Sequence, residues 1–280
     1  MKEMSLKDIQ KVSLDILKDV HSFCVSHNIN YSLAYGTLIG AIRHKGFIPW
    51  DDDIDIIMTR PDYEHFCDCY KSERYQLSTP ITSYLCFTRV YDDKETTSVQ
   101  SVPWLKGKKR PGVWIDIFPI DSVSNDANEY ANQYDKASKL LYLQGRIRST
   151  KKTINDTFVL RSFSTAIVKL ARAWVGKILF LNKNIDEVNN FYQQVIQQYS
   201  WGSTKHWAQL ACADNGPKDF GDNEWLSSYQ LMQFEDAKFY VLKGFNEWLS
   251  NKYGDYMIIP PESEREQHTL DITKFFWKNK

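Results

Sequence analysis

The chain has 280 residues, and its 35 Lys and Arg balance 35 Asp and Glu, so no global charge draws it to nucleic acid. Its 42% hydrophobic and 14% aromatic content suits a packed soluble protein of one large domain, or a domain plus a subdomain. The five cysteines, Cys24, Cys67, Cys69, Cys86 and Cys212, make a poor disulfide framework and fit a reducing compartment. His65, Cys67 and Cys69 lack the second ligand pair a zinc site needs.

MKEMSLKDIQ carries no apolar secretory core, and no run reaches the roughly 20 apolar residues of a membrane span. A cytoplasmic location is expected. Ser5 caps a predicted helix to about Asn28, with Leu6, Ile9, Val12, Ile16, Val20 and Phe23 at helical spacing. Tyr31–Tyr35 reads as a strand ended by Gly36, and Thr37–Arg43 as the start of a helix. Asp53–Met58 is the next strand, and Pro61 opens a helix through about Tyr70. Strands come next at Tyr75–Ser78, Tyr84–Tyr91, Thr96–Val102 and Val113–Phe118. From Ala127 to about Ser200 helical patterns dominate, and Trp207–Ala213 gives no clear pattern. Phe239–Leu242 reads as a last strand and Phe245–Tyr253 as a short helix, with Pro260-Pro261 stopping regular structure.

The expected fold class is α+β: a mixed sheet flanked by helices, then a mainly helical second half. The expected division is a catalytic core over 1–124, a helical acceptor-side region over 125–234, and a segment over 235–280 that returns to the core.

Within GFIPWDDDIDI, Asp51, Asp53 and Asp55 would share one face of a strand, with Ile54 and Ile56 toward the core. Carboxylates two residues apart sit roughly 7 Å apart along a strand. Brought closer in a partly buried site they repel, and a divalent cation reverses the sign. The apolar residues around them argue against a solvated acidic turn. An EF-hand fails, because Ile56 stands where glycine is needed and Asp62 where Glu is. A glycosyltransferase D-x-D fits Asp53-Ile54-Asp55 taken alone.

Upstream, Gly36-Thr37 lies between a strand and a helix, where backbone N–H groups can cradle phosphate. Arg43 and Lys45 carry charges suited to a diphosphate. Strand, Gly-Thr, helix, loop and then Asp-x-Asp is the order of nucleotidyltransferase folds. GVWIDIFPID adds Asp116, alone between Ile115 and Ile117 on a predicted core strand. A lone acid there needs a partner, and Asp116 is expected to complete a metal shell or act as general base. Asp121, after Pro119, is expected to shape a turn or cap the next element.

GTLIGAIR (Gly36–Arg43), GFIPWDDDID (Gly46–Asp55), WIDIFPID (Trp114–Asp121) and the tail YGDYM, Pro260-Pro261 and His268 together resemble the LicD/fukutin-like phosphotransferases. The resemblance covers roughly residues 20–121 and 235–268. It implies a nucleotidyltransferase-like fold. It also implies transfer of a substituted phosphate, phosphocholine first, from a CDP-activated donor to a sugar hydroxyl of a surface glycan. CDP-choline is the first donor, CDP-ribitol or CDP-glycerol the others, and the acceptor could be lipid-linked. The implied metal is Mg²⁺ or Mn²⁺, held by Asp53, Asp55 and Asp116, with Asp51 joining them or shaping the turn. Gly36, Thr37, Arg43, Lys45 and His268 are the implied donor-site residues, Arg43 contacting phosphate or bracing the loop. The alternatives are a true nucleotidyltransferase, the D-x-D glycosyltransferase and a glycan-binding pseudoenzyme. Phe158–Lys183, acid-free with five basic residues, reads as a core helix with basic edges or as a helix lying on anionic lipid at the inner face of a membrane.

Overall fold

The computed structural model describes residues 1–100, 104–106, 110–156, 184–212, 216–265, 269–270 and 273–279. Phe158–Lys183 and His268 therefore lie outside the described residues.

A two-residue strand β1 (Lys2–Glu3) leads into α1 (Leu6–Ser26). The helix starts where it does because Asp8 N–H donates to Ser5 Oγ while Ser5 N–H donates to Asp8 Oδ2, a reciprocal cap. Ile9, Val12, Ile16, Leu17 and Val20 are its buried stripe, the pattern of an amphipathic helix covering a sheet. Next come β2 (Ser32–Leu33), α2 (Tyr35–Arg43), β3 (Asp55–Thr59) and α3 (Arg60–Cys69). Thr59 caps α3 by accepting from Asp62 N–H, with Pro61 in the first turn, where its missing N–H costs nothing.

Then come β4 (Tyr75–Ser78), β5 (Thr88–Asp92), β6 (Thr96–Gln100) and β7 (Trp114–Val123). The central sheet runs β2-β3-β7-β5-β4. Only the β3–β7 pair on this path is parallel. All ten residues of β7 are buried, as a strand covered on both faces should be. Pro119 sits within it at no cost to the ladder. Pro119 is the register partner of Met58 on β3, but its nitrogen faces the other edge, because Asp116 N–H, three positions earlier, donates toward β3 at Ile54 O. On that other edge β5 pairs only as far as Ile117 and the next partner begins at Asp121.

The second half holds α4 (Ala127–Asp156), α5 (Ile185–Ile196), β8 (His206–Ala208), β9 (Phe220–Asp222), β10 (Tyr229–Phe234), β11 (Ala237–Leu242), α6 (Phe245–Tyr253) and β12 (Thr273–Trp277). β8 extends the sheet by pairing with the far end of β7, and β9 pairs with β8. The helices α4 and α5 close a smaller core around Val123, Ala137, Tyr192, Ile196 and Leu210. β12 pairs with both β6 and β1, so the end of the chain lies beside its start.

The α+β class is as expected from the sequence, with three differences. Regular β3 starts at Asp55, not Asp53, because Asp51 N–H turns back to Ile48 O at 2.9 Å. β2 is two residues long, and α2 already begins at Tyr35. The second half carries more strands than the one expected at Phe239–Leu242: β8 and β9 extend the sheet, and β10–β11 form a hairpin whose two-residue turn puts Glu235 at φ 53°. Among the described residues no helix is long and apolar enough to cross a membrane.

Candidate active site

Strand register builds the floor of the site. Asp55 on β3 is the direct partner of Asp116 on β7, and Asp116 is the direct partner of Arg89 on β5. Register partners on adjacent strands point to the same face, so the three side chains form a row, acid–acid–base. Arg89 closes it by donating Nε–H to Asp116 Oδ1 and Nη2–H to Oδ2, the latter at 3.0 Å. The guanidinium lies over the rings of Trp114 and Trp104, 4.4 and 4.9 Å from their centroids. Stacking and a two-pronged carboxylate contact together fix its orientation.

Asp51 and Asp53 reach the same cavity from an irregular loop rather than from the strand. Four hydrogen bonds fasten that loop. Gln10 Nε2–H donates to Asp51 O at 2.8 Å. Phe47 N–H donates to Glu235 Oε1 at 2.9 Å. Thr269 and Leu270 N–H donate to Asp52 Oδ1 and Oδ2 at 3.3 and 2.6 Å. Asp52 also brings an oxygen within 4.8 Å of Asp51 and Asp53. Its carboxylate is nevertheless spent on the tail, and it does not line the cavity.

A cavity of about 810 Å³ lies above the row. Asp51, Asp53, Asp55, Asp116, Asp255 and Glu264 line it, against the three cations Arg43, Arg89 and Lys252. Burial pushes the Asp51 and Asp55 carboxyls well above the ordinary carboxylate value, and the neighbouring charge of Asp53 adds to both. Asp116 is also raised by burial, with Arg89 pulling it back. Buried carboxylates with too little compensating charge are the electrostatic condition a divalent cation relieves.

The sequence-predicted residues divide. Gly36 is inside α2, and a Cβ there would lie 2.7 Å from Asp51 Oδ2. The missing side chain thus admits the Asp51 carboxylate to the positive end of the helix. Thr37 is buried, and its Oγ1 accepts Asp55 N–H at 2.9 Å, aligning β3. Arg43 lines the cavity while its Nη1–H groups donate to Tyr256 O and Ile258 O at 3.0 and 3.1 Å. It braces the tail loop. Lys45 is exposed, at φ 59°, and is not among the lining residues. Asp121 neither turns the chain nor caps a helix. β7 continues through it, and the buried carboxylate takes Arg60 Nε–H and Nη2–H, both at 2.7 Å.

Two features are missed by the sequence motifs. Arg89 is a lone charge between Thr88 and Val90 on a core strand, the same signal that singles out Asp116. The other is a buried cluster around Asp219, whose Oδ2 accepts Tyr35 O–H at 2.7 Å and lies 3.1 Å from Lys252 Nζ. No sequence spacing links those positions.

Comparison with known proteins agrees with the motifs. A family model described as LicD/FKTN/FKRP, nucleotidyltransferase domain, matches residues 28–147. The lipopolysaccharide cholinephosphotransferase LicD of Haemophilus influenzae is 33% identical over 281 residues, covering 96% of this chain and 98% of that protein. An uncharacterized protein of Rickettsia typhi is 40% identical over 96 residues, 33% of this chain and 31% of its own. The first of these relatives is aligned nearly end to end, and the matched family segment contains the whole Asp55–Asp116–Arg89 row. The chain belongs to the LicD family.

Proposed function

We propose that this protein transfers phosphocholine from CDP-choline to a sugar hydroxyl of a cell-surface glycan, with Mg²⁺ or Mn²⁺ at its acidic site. The observation that carries this reading is the acid row under a cavity large enough for a nucleotide-linked donor, in a chain similar along its length to a lipopolysaccharide cholinephosphotransferase.

The donor set fits a hard divalent ion. It consists of carboxylate oxygens, it is partly buried, and its negative charge is under-compensated. Asp51, Asp53 and Asp55 would hold the ion, with Asp116 beside them. When bound, it supplies positive charge to the donor diphosphate and to the leaving nucleotide.

The chain's own residues supply the rest. Asp116, made more basic than an ordinary carboxylate by burial, takes the proton of the acceptor hydroxyl. The hydroxyl oxygen bonds to the distal phosphorus, the bond from that phosphorus to the bridging oxygen breaks, and CMP leaves with the electron pair. Arg89 holds the Asp116 carboxylate toward the acceptor. Thr37 keeps Asp55 in line through its backbone N–H. Arg43 holds the Tyr256–Ile258 loop at the cavity rim. Residues 125–234, from which Cys212 reaches the cavity, form the acceptor side.

The test is incubation of the purified protein with CDP-choline, Mg²⁺ and a de-acylated lipopolysaccharide oligosaccharide, read by mass spectrometry. A glycan heavier by one phosphocholine, with CMP released, is the expected result. Pyrophosphate release with a nucleotidylated product would instead make it a nucleotidyltransferase.

A further inference from the structure

Away from the acid row, the cavity wall carries a second charged group that this chemistry does not use. Lys252 stands in the last turn of α6, and its ammonium lies 3.1 Å from Asp219 Oδ2. The two side chains are 7% and 0% exposed, so both charges have left water. Asp219 is already well satisfied by neutral donors: Tyr35 O–H at 2.7 Å on Oδ2 and Trp248 Nε1–H at 3.1 Å on Oδ1. A pair kept only for packing would be replaced by apolar side chains at little cost, because desolvation cancels most of what such a pair gains.

The surroundings say what the lysine faces. It lines the same cavity as Asp51, Asp53 and Asp55. Of the other two cations there, Arg89 is held by Asp116 and Arg43 is turned to the Tyr256 and Ile258 carbonyls. Lys252 Nζ sits 4.9 Å from the Tyr35 ring centroid and 5.5 Å from that of Tyr253, which directs a compact point charge along the wall. Tyr35 holds its place at φ 48°, a conformation costly for a bulky residue, directly before Gly36 of the acid site.

We infer that Lys252 is a phosphate-binding residue of the donor site, and that Asp219, oriented by Tyr35 and Trp248, is the positioning residue that aims it. This rests on the reading that the cavity takes a nucleotide-linked phosphate donor. An ammonium suits that task because it answers a phosphate's charge from several directions, without the fixed fork of a guanidinium. Binding of the donor draws the ammonium toward phosphate oxygen while Asp219 keeps its two neutral donors.

The experiment uses the full chain and two probes, CDP-choline and inorganic pyrophosphate, by isothermal titration with Mg²⁺ present. Lys252→Met should weaken pyrophosphate and CDP-choline at least about tenfold, raise KM more than it lowers kcat, and leave the melting shift produced by Mg²⁺ alone unchanged. Lys252→Arg keeps the positive charge and should recover part of the affinity, a rescue that a packing role would not predict. Should Lys252→Met fold poorly, Asp219→Asn/Lys252→Met removes both charges together and is compared with Asp219→Asn alone. Wild-type affinity for pyrophosphate in a folded variant lacking Lys252 overturns the inference, as does a wild-type protein that binds no pyrophosphate. If the wild type binds pyrophosphate and Lys252→Met does not, while CDP-choline is not consumed, Lys252 stands and the choice of donor falls.

Discussion

Asp116 faces Asp55 across the only parallel strand pair on the path of the central sheet. The two acids come from separate motifs, yet strand register makes them neighbours on one face. Arg89 meets Asp116 from the antiparallel side. Asp116 thus has a counter-charge in direct contact, while Asp55 feels Arg89 only as a lesser influence than burial and the neighbouring acids. Asp55 is therefore the acid whose loss should be felt most in turnover and least in the fold. Asp55→Asn and Asp53→Asn should each lower kcat by about 10²–10³-fold or more, the scale of losing one preorganised electrostatic group. The melting temperature of Asp55→Asn in EDTA should equal or exceed that of the wild type, since it removes repulsion among buried acids. Near-normal turnover in either variant, with Mg²⁺ controlled, would remove it from the site.

Arg89→Met leaves the Asp116 charge buried without its partner. Breaking such a pair costs about 3–5 kcal/mol, readable by urea titration. Arg89→Met/Asp116→Leu should recover much of that stability without recovering activity, a non-additivity expected of residues in contact. A single variant as stable as the wild type would show that the pair is not holding the β7–β5 face.

Gly36 and Gly145 both lie in helices but should respond oppositely to alanine. At Gly145 an added Cβ meets nothing within 4 Å, so Gly145→Ala should stabilise by roughly 0.5–1 kcal/mol. At Gly36 the Cβ would lie 2.7 Å from Asp51 Oδ2. Gly36→Ala should still fold but bind Mg²⁺ about 10–100-fold more weakly, as when a ligand's supporting contact is lost. Titration of Mg²⁺ against the melting temperature separates the two.

Much of the site is legible in the sequence because its signals are local. Four acids beside buried isoleucines, and Asp116 alone in an apolar strand, are anomalies that hydrophobic patterning exposes by itself. The hidden part depends on register and on distant pairing. Arg89 gains its meaning from facing Asp116, and its own stretch, Phe87–Tyr91, carries only the lone charge as a signal, with no motif around it. Lys252 and Asp219 belong to different elements and meet only in the folded chain. Alternation alone would place Asp51, Asp53 and Asp55 on one strand. In fact Asp51 N–H turns back to Ile48 O, and Gln10, Glu235 and the tail N–H groups, all distant in sequence, hold the loop out of the ladder. Pro119 suggests a turn at Asp121, yet β7 tolerates the proline in a gap between partner strands.

pH should reveal the uncompensated acids. The folded-state pKa values of Asp51 and Asp55 are raised above the ordinary 3.8. A raised carboxyl holds its proton more tightly folded than unfolded. Its contribution to stability is therefore full below the unfolded pKa and is lost as pH rises through the folded value. In EDTA the wild type should lose stability through this window, and Asp51→Asn/Asp55→Asn should lose less. Added Mg²⁺ should stabilise the wild type more at pH 8 than at pH 5. Equal Mg²⁺ effects at the two pH values would contradict an acid-held metal.

The first measurement is isothermal titration of the wild-type protein with CDP-choline, CDP-ribitol, CDP-glycerol and UDP-glucose, each with Mg²⁺ and with EDTA. Binding of CDP-choline that requires Mg²⁺, with UDP-glucose silent, is the predicted result. Binding of UDP-glucose in its place, or of CDP-choline equally well in EDTA, would contradict a metal-dependent cholinephosphotransferase.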